Sequence, residues 1–105
     1  TLEHEGYDKT PTDVALESLK ASAVELIPAL ADAEVVGHWA GLRPGSPEGI
    51  PYIGRVPGYE GLWLNCGHYR NGLVLAPASC QLFADVMLGR APIIDPAPYA
   101  PAGRI

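Results

Sequence analysis

Leu62-Trp63-Leu64-Asn65-Cys66-Gly67-His68-Tyr69-Arg70-Asn71-Gly72-Leu73 carries an apolar run into a glycine turn and out into the start of a helix. Residues 62–66 have the length of a strand and end at a glycine. Beyond Gly72, Leu75, Ala78, Leu82 and Val86 recur at three- and four-residue steps as far as Gly89, which predicts a helix running to Leu88. Pro77 cannot lie deep in such a helix. The passage is therefore expected either as a first turn over 72–76 followed by a regular stretch from Pro77, or as one helix with a slight kink. Gly67 and Gly72 keep side chains away where another surface could approach the backbone, and the first-turn N–H groups would meet that surface with a partial positive charge. Arg70 adds a full charge at the same point. Such a turn suits an anion, or a cofactor atom that becomes anionic; a plain strand-to-helix turn with an exposed arginine is the other reading.

Upstream, Gly37-His38-Trp39-Ala40-Gly41-Leu42-Arg43-Pro44 sets a second arginine between an apolar run and a proline, with rigid backbone on both sides. A guanidinium held this way suits bidentate capture of a carboxylate, or a structural ion pair with one of the chain's 12 acids. The window 37–72 holds nine of the 12 glycines together with Pro44, Pro47, Pro51 and Pro57, which excludes long helices. Strands are expected at 34–42, 51–56 and 62–66, joined by loops such as 44–49. Before this window, Thr10-Pro11-Thr12-Asp13 reads as a helix start with Thr10 as cap and Pro11 in the first position. Leu16, Leu19, Ala23, Leu26, Ile27 and Leu30 form its packing stripe, with Glu17, Lys20 and Glu25 on other faces and Pro28 limiting its end. The last 15 residues hold four prolines and read as an extended strap.

The 105 residues are 48% apolar, with 12 glycines and 11 prolines, enough for one domain at most. A net charge of −5 leaves no basic patch for a phosphate backbone, so nucleic acid is not an expected partner. The uncharged apolar stretch 73–78 is far short of the roughly 20 residues of a membrane span. The opening lacks a basic signal-peptide region, and a cytoplasmic protein is expected. The chain begins on Thr1 with no turn or capping signal before Leu2, and is expected to be cut from a larger protein. Cys66 and Cys80 are expected reduced and partly buried, Cys66 as a small apolar residue with no neighbouring charge to activate it. Gly-x-Gly-x-x-Gly, Walker and Gly-x-Ser-x-Gly motifs are missing. His4, His38 and His68 are scattered, and no zinc site is expected. His68, beside a glycine turn, is expected to pack, with titration or donation of a hydrogen bond as the other readings.

Three ordered motifs, residues 39–44, 47–54 and 67–77, resemble the C-terminal third of the FAD-dependent D-amino acid oxidase superfamily, nearest to its glycine oxidase branch of the thiamine-biosynthesis type. Residues 2–9 are similar to the family's last substrate-domain strand, and 94–99 to its C-terminus. Glu48 stands where many relatives have Asp. The resemblance implies an α+β piece of a two-domain FAD-dependent oxidoreductase, with two main helices and several short strands. It divides the chain into 1–9, the end of the substrate-domain sheet; 10–90, part of the region that binds FAD and contacts substrate; and 91–105, a Pro-rich tail. It implies oxidation of glycine or another small amino acid, with Arg43 clamping the substrate carboxylate and Arg70 close to the same pocket. His68, Tyr69, Arg70, Asn71, Gly72, Leu73 and Val74 would lie along the flavin, with the helix aimed at its pyrimidine edge. The Gly-rich dinucleotide loop lies outside these residues, so the chain by itself is expected to be inactive, to retain no FAD, and to self-associate through uncovered surfaces around Trp39, Tyr52 and Trp63. A relative of D-amino acid dehydrogenase or sarcosine oxidase, or a free-standing binding module, remains open.

Overall fold

The computed structural model describes residues 2–105. They form two α-helices, two paired strands and three single turns of 3-10 helix, an α+β architecture as expected. The chain divides into two compact units, Thr1–Leu42 and Arg43–Ile105.

In the first unit, helix α1 runs Asp13–Leu26. Its cap is Thr12 and not Thr10: the helix begins at Asp13, and the hydroxyl within reach of a first-turn N–H is that of Thr12. Thr12 is extended, and its hydroxyl oxygen accepts from the Ala15 N–H at 3.2 Å. Asp13 then opens the helix, where a carboxylate favours the N-terminal dipole. The helix stops at Ile27, φ −137°, since a residue before proline is driven from helical backbone. Its stripe is less covered than the spacing predicts: Ala15 is buried, Leu16 and Ala23 are half-buried, and Leu19, Leu26, Ile27 and Leu30 are exposed. One helix with no sheet in its unit has nothing on which to bury such a stripe. The strand expected over 34–42 does not form for a related reason, since among the described residues no neighbour pairs with it. Residues 2–9 also carry no ladder, and turn at Gly6, φ +63°.

In the second unit, β1 (Tyr52–Arg55) and β2 (Trp63–Cys66) pair antiparallel, with Tyr52 opposite Cys66 and Arg55 opposite Trp63. Partners across a ladder share a face and neighbours alternate, so Ile53, Arg55, Trp63 and Asn65 look one way and Tyr52, Gly54, Leu64 and Cys66 the other. Helix α2, Gly72–Met87, takes the first face. Trp63 meets Phe83 edge-on with 6.0 Å between ring centroids, and Asn65 Nδ2 lies 4.0 Å from Cys80 Sγ. Leu82, 1% exposed, is buried with Ile53 and Val56. Helix α2 runs unbroken through Pro77 and does not begin afresh there; Pro77 falls early in it, where its missing N–H forfeits only the bond to the Leu73 carbonyl. The helix closes as a Schellman turn: Gly89, φ +66°, donates to Val86 O, and the Arg90 N–H to Asp85 O at 2.8 Å.

The C-terminal tail takes the other face of the sheet. Gly54 has φ +146°, and a Cβ there would come within 3.2 Å of Pro101 Cδ. The tail is not the plain extended strap the prolines suggest. A 3-10 turn at Ala97–Tyr99 and a second turn at Gly103 return Arg104 to β1. Its guanidinium carbon stacks 4.3 Å from the Tyr52 ring centroid, and Tyr52 Oη donates to Arg104 O at 3.2 Å. Tyr52 and Trp63 are thus half-buried and not the uncovered aromatics expected; Trp39, at 82% exposure, is one. Cys66 and Cys80 are free thiols, exposed and not partly buried, because a two-stranded sheet of four-residue strands has too few neighbours to cover its margins.

Candidate flavin and carboxylate site

Between β2 and α2 the backbone turns through Gly67, φ +82°, and Tyr69, φ +53°. Two hydrogen bonds tie this turn to the segment that follows Arg43: the Tyr69 N–H donates to Pro44 O at 3.0 Å, and Ser46 Oγ donates to Gly67 O at 3.0 Å. The fit is close. A Cβ on Gly67 would lie 3.0 Å from Ser46 Cβ. A third contact anchors the turn to its own helix, where His68 Nε2 and Ser79 Oγ are 2.9 Å apart and Ser79 is buried. His68 therefore makes a specific hydrogen bond with Ser79.

At the N-terminus of α2, Asn71 makes no side-chain capping bond. The N–H groups of Gly72, Leu73 and Val74 have no partner among the described residues; the first satisfied amide is Leu75, which donates to Asn71 O at 2.8 Å. Beside these donors, Leu73 and Val74 are 92% and 82% exposed. Arg70 is exposed, as is Arg43 at the head of the tied segment, and neither forms an ion pair among the described residues, where Lys20 and Glu17 make the one salt bridge. The ion-pair alternative for Arg43 is therefore not realised here. Two hydrogen bonds thus join the segment that follows Arg43 to the Gly67–Tyr69 turn, which leads through Arg70 into the open helix end. Chemically it offers two uncompensated cations, a row of N–H donors and an apolar patch, which together suit a carboxylate beside a flat, partly anionic ring.

A model of the family described as FAD dependent oxidoreductase matches residues 1–86, and the chain belongs to that family. It is 82% identical over all its 105 residues to glycine oxidase of Pseudomonas putida and 79% identical to glycine oxidase of Pseudomonas aeruginosa. In each case it spans 29% of the relative's length. Among solved structures, that of glycine oxidase from Geobacillus kaustophilus superimposes with a TM-score of 0.78 at 34% identity, over 94% of this chain and 27% of that one.

The residues present fit part of a flavin. Orphaned N–H groups at a helix start would suit acceptor atoms of a ring edge, and exposed Leu73 and Val74 would offer apolar surface to its plane. Two members of the cluster are invisible to motif reading. Ser46, which locks the turn, looks like an ordinary loop residue, and Ser79, the partner of His68, lies 11 residues away on α2. A buried serine on an apolar helix stripe is the signal that could have found Ser79.

Proposed function

We propose that the chain is the C-terminal portion of an FAD-dependent oxidoreductase that oxidises glycine or another small amino acid to the imino acid and, after hydrolysis, the oxo acid. One observation carries this reading: the hydrogen bonds from Tyr69 N–H to Pro44 O and from Ser46 Oγ to Gly67 O, which tie the segment after Arg43 to the turn that leads into Arg70 and the open start of α2. FAD, when bound, accepts a hydride from the substrate carbon that bears the amine. Arg43 holds the substrate carboxylate through its two-pronged guanidinium, and Arg70 adds positive charge to the same pocket. His68, Tyr69, Arg70, Asn71, Gly72, Leu73 and Val74 line the cofactor, with the helix end favouring negative charge at the edge it faces. On this reading 1–9 completes the substrate-domain sheet, 10–90 belongs to the region that binds flavin and substrate, and 91–105 is its tail. The rest of the polypeptide supplies the dinucleotide loop. Membership of the thiamine-biosynthesis branch accompanies this reading through the resemblance, and a cytoplasmic location is carried over from the sequence reading.

The test is turnover by the full-length, flavin-loaded protein on glycine, sarcosine and D-alanine. Glycine is expected to be oxidised with the highest kcat/KM. Preference for D-alanine or sarcosine moves the protein to the dehydrogenase or sarcosine oxidase reading. Failure to oxidise any of them, with flavin bound, overturns the proposal in favour of a non-catalytic binding module.

A further inference from the structure

The segment between Arg43 and β1 is held at both ends. At its start, Pro44 O accepts from Tyr69 N–H and Ser46 Oγ donates to Gly67 O. At its far end, Arg104 Nη2 donates to Ile50 O at 2.6 Å and Nη1 to Pro51 O at 3.1 Å and to Pro98 O at 3.2 Å. Between the two anchors lies the turn Pro47–Gly49, in which Glu48 takes φ +61° and Gly49 φ +71°. A glutamate adopts that backbone only where its flanks impose it. Arg104 has no carboxylate partner among the described residues, so its donors act on main-chain oxygens alone. A planar fork spent on backbone carbonyls fixes where they sit. The fork is itself fixed, stacked on Tyr52, whose hydroxyl binds the Arg104 carbonyl.

We propose that Arg104 is a positioning residue: by holding the Ile50 and Pro51 carbonyls it seats the 44–51 segment, and through that segment it sets Arg43 against the Gly67–Tyr69 turn. This rests on the reading of Arg43 as the carboxylate clamp. It reaches beyond that reading to the tail, past residue 86 where the family match ends.

The experiment compares Arg104→Lys and Arg104→Ala with the parent in the full-length, flavin-loaded protein, and adds Arg43→Ala as a reference. Peptide-resolved amide exchange reads the latch without any substrate. The Tyr69 N–H is expected to exchange roughly tenfold faster in Arg104→Ala and by an intermediate factor in Arg104→Lys, while amides inside α2 keep their rates. Kinetics reads the consequence: KM for the amino acid should rise about tenfold in the alanine variant with kcat within about twofold, and less in the lysine variant. Unchanged exchange at Tyr69 overturns the proposal. So does acceleration that includes the interior of α2 in both variants, which would make Arg104 a general support of the fold. An unmoved KM in Arg104→Ala, where Arg43→Ala raises it, also overturns the proposal. If Arg43→Ala itself leaves KM unchanged, the carboxylate-clamp reading fails, and the Tyr69 exchange still judges the latch.

Discussion

Gly67 is the residue with least room to change. It combines φ +82° with a side-chain position 3.0 Å from Ser46 Cβ, so both the backbone and the neighbour oppose a larger residue. Gly67→Ala is expected to cost about 2–3 kcal/mol of stability, the sum of a left-handed alanine and a displaced serine. Thermal unfolding of the full-length variant checks the cost, and KM for the amino acid should rise with it because the Ser46 bond to the turn is strained. A Tm equal to the parent's would show that the turn yields freely. Asp8 illustrates a smaller effect on a titrating group. The Thr10 hydroxyl, and then the Thr10 N–H, hold its carboxyl below the ordinary 3.8. The folded form therefore binds this proton less readily than the unfolded one. The associated stabilisation is present above pH 3.8 and is lost as pH falls through the lowered value. Titration of the Asp8 carboxyl by NMR should give a midpoint below 3.8, moved upward in Thr10→Val; a midpoint at or above 3.8 contradicts the contact.

At the scale of elements, helix ends follow from short local rules where the deciding residues sit side by side. Gly89 supplies the left-handed backbone that the Schellman turn of α2 requires. Gly89→Ala should cost roughly 1 kcal/mol, read as a lower Tm, with kinetic constants unchanged because the site lies at the other end of the helix. The same local logic made Pro28 a legible stop for α1. It misassigned the start because two threonines stand two residues apart and either fits the capping pattern; the hydroxyl that reaches a first-turn N–H is that of Thr12. The apolar run 34–42 shows the limit from the opposite direction: its residues favour a strand, but a strand needs a partner, and pairing is a property of another segment. The tail was legible as proline-rich, but not its 3-10 turn at Ala97–Tyr99. Nor was its return to β1, because that depends on Arg104 finding three carbonyls, two of them more than 50 residues upstream.

At the scale of the molecule, the chain spans 29% of the length of its Pseudomonas relatives, and its exposed apolar surface is that of a part. Leu19 and Leu26 on α1, Ile27 at its end and Trp39 beyond it are uncovered. Surfaces of this kind associate when nothing else buries them. The isolated 105-residue chain is expected to form oligomers at micromolar concentration and to purify without stoichiometric FAD; light scattering from a clean monomer, or a yellow preparation, would speak against this. The candidate site was legible in large part because Arg43, Gly67, Arg70 and Gly72 stand in short motifs. What joins them was not, since the bonds from Ser46 and Tyr69 cross more than 20 residues and involve backbone atoms that no motif records. The central claim is that this junction forms the carboxylate side of an amino acid oxidising site. The most direct measurement is kcat/KM for glycine in full-length, flavin-loaded Arg43→Ala. A charge-assisted contact to a buried carboxylate is worth about 2–5 kcal/mol on truncation, so a loss of roughly thirtyfold to several thousandfold is predicted, with Arg43→Lys intermediate and flavin content unchanged. An Arg43→Ala enzyme that keeps the parent's kcat/KM on glycine, sarcosine and D-alanine would contradict the account.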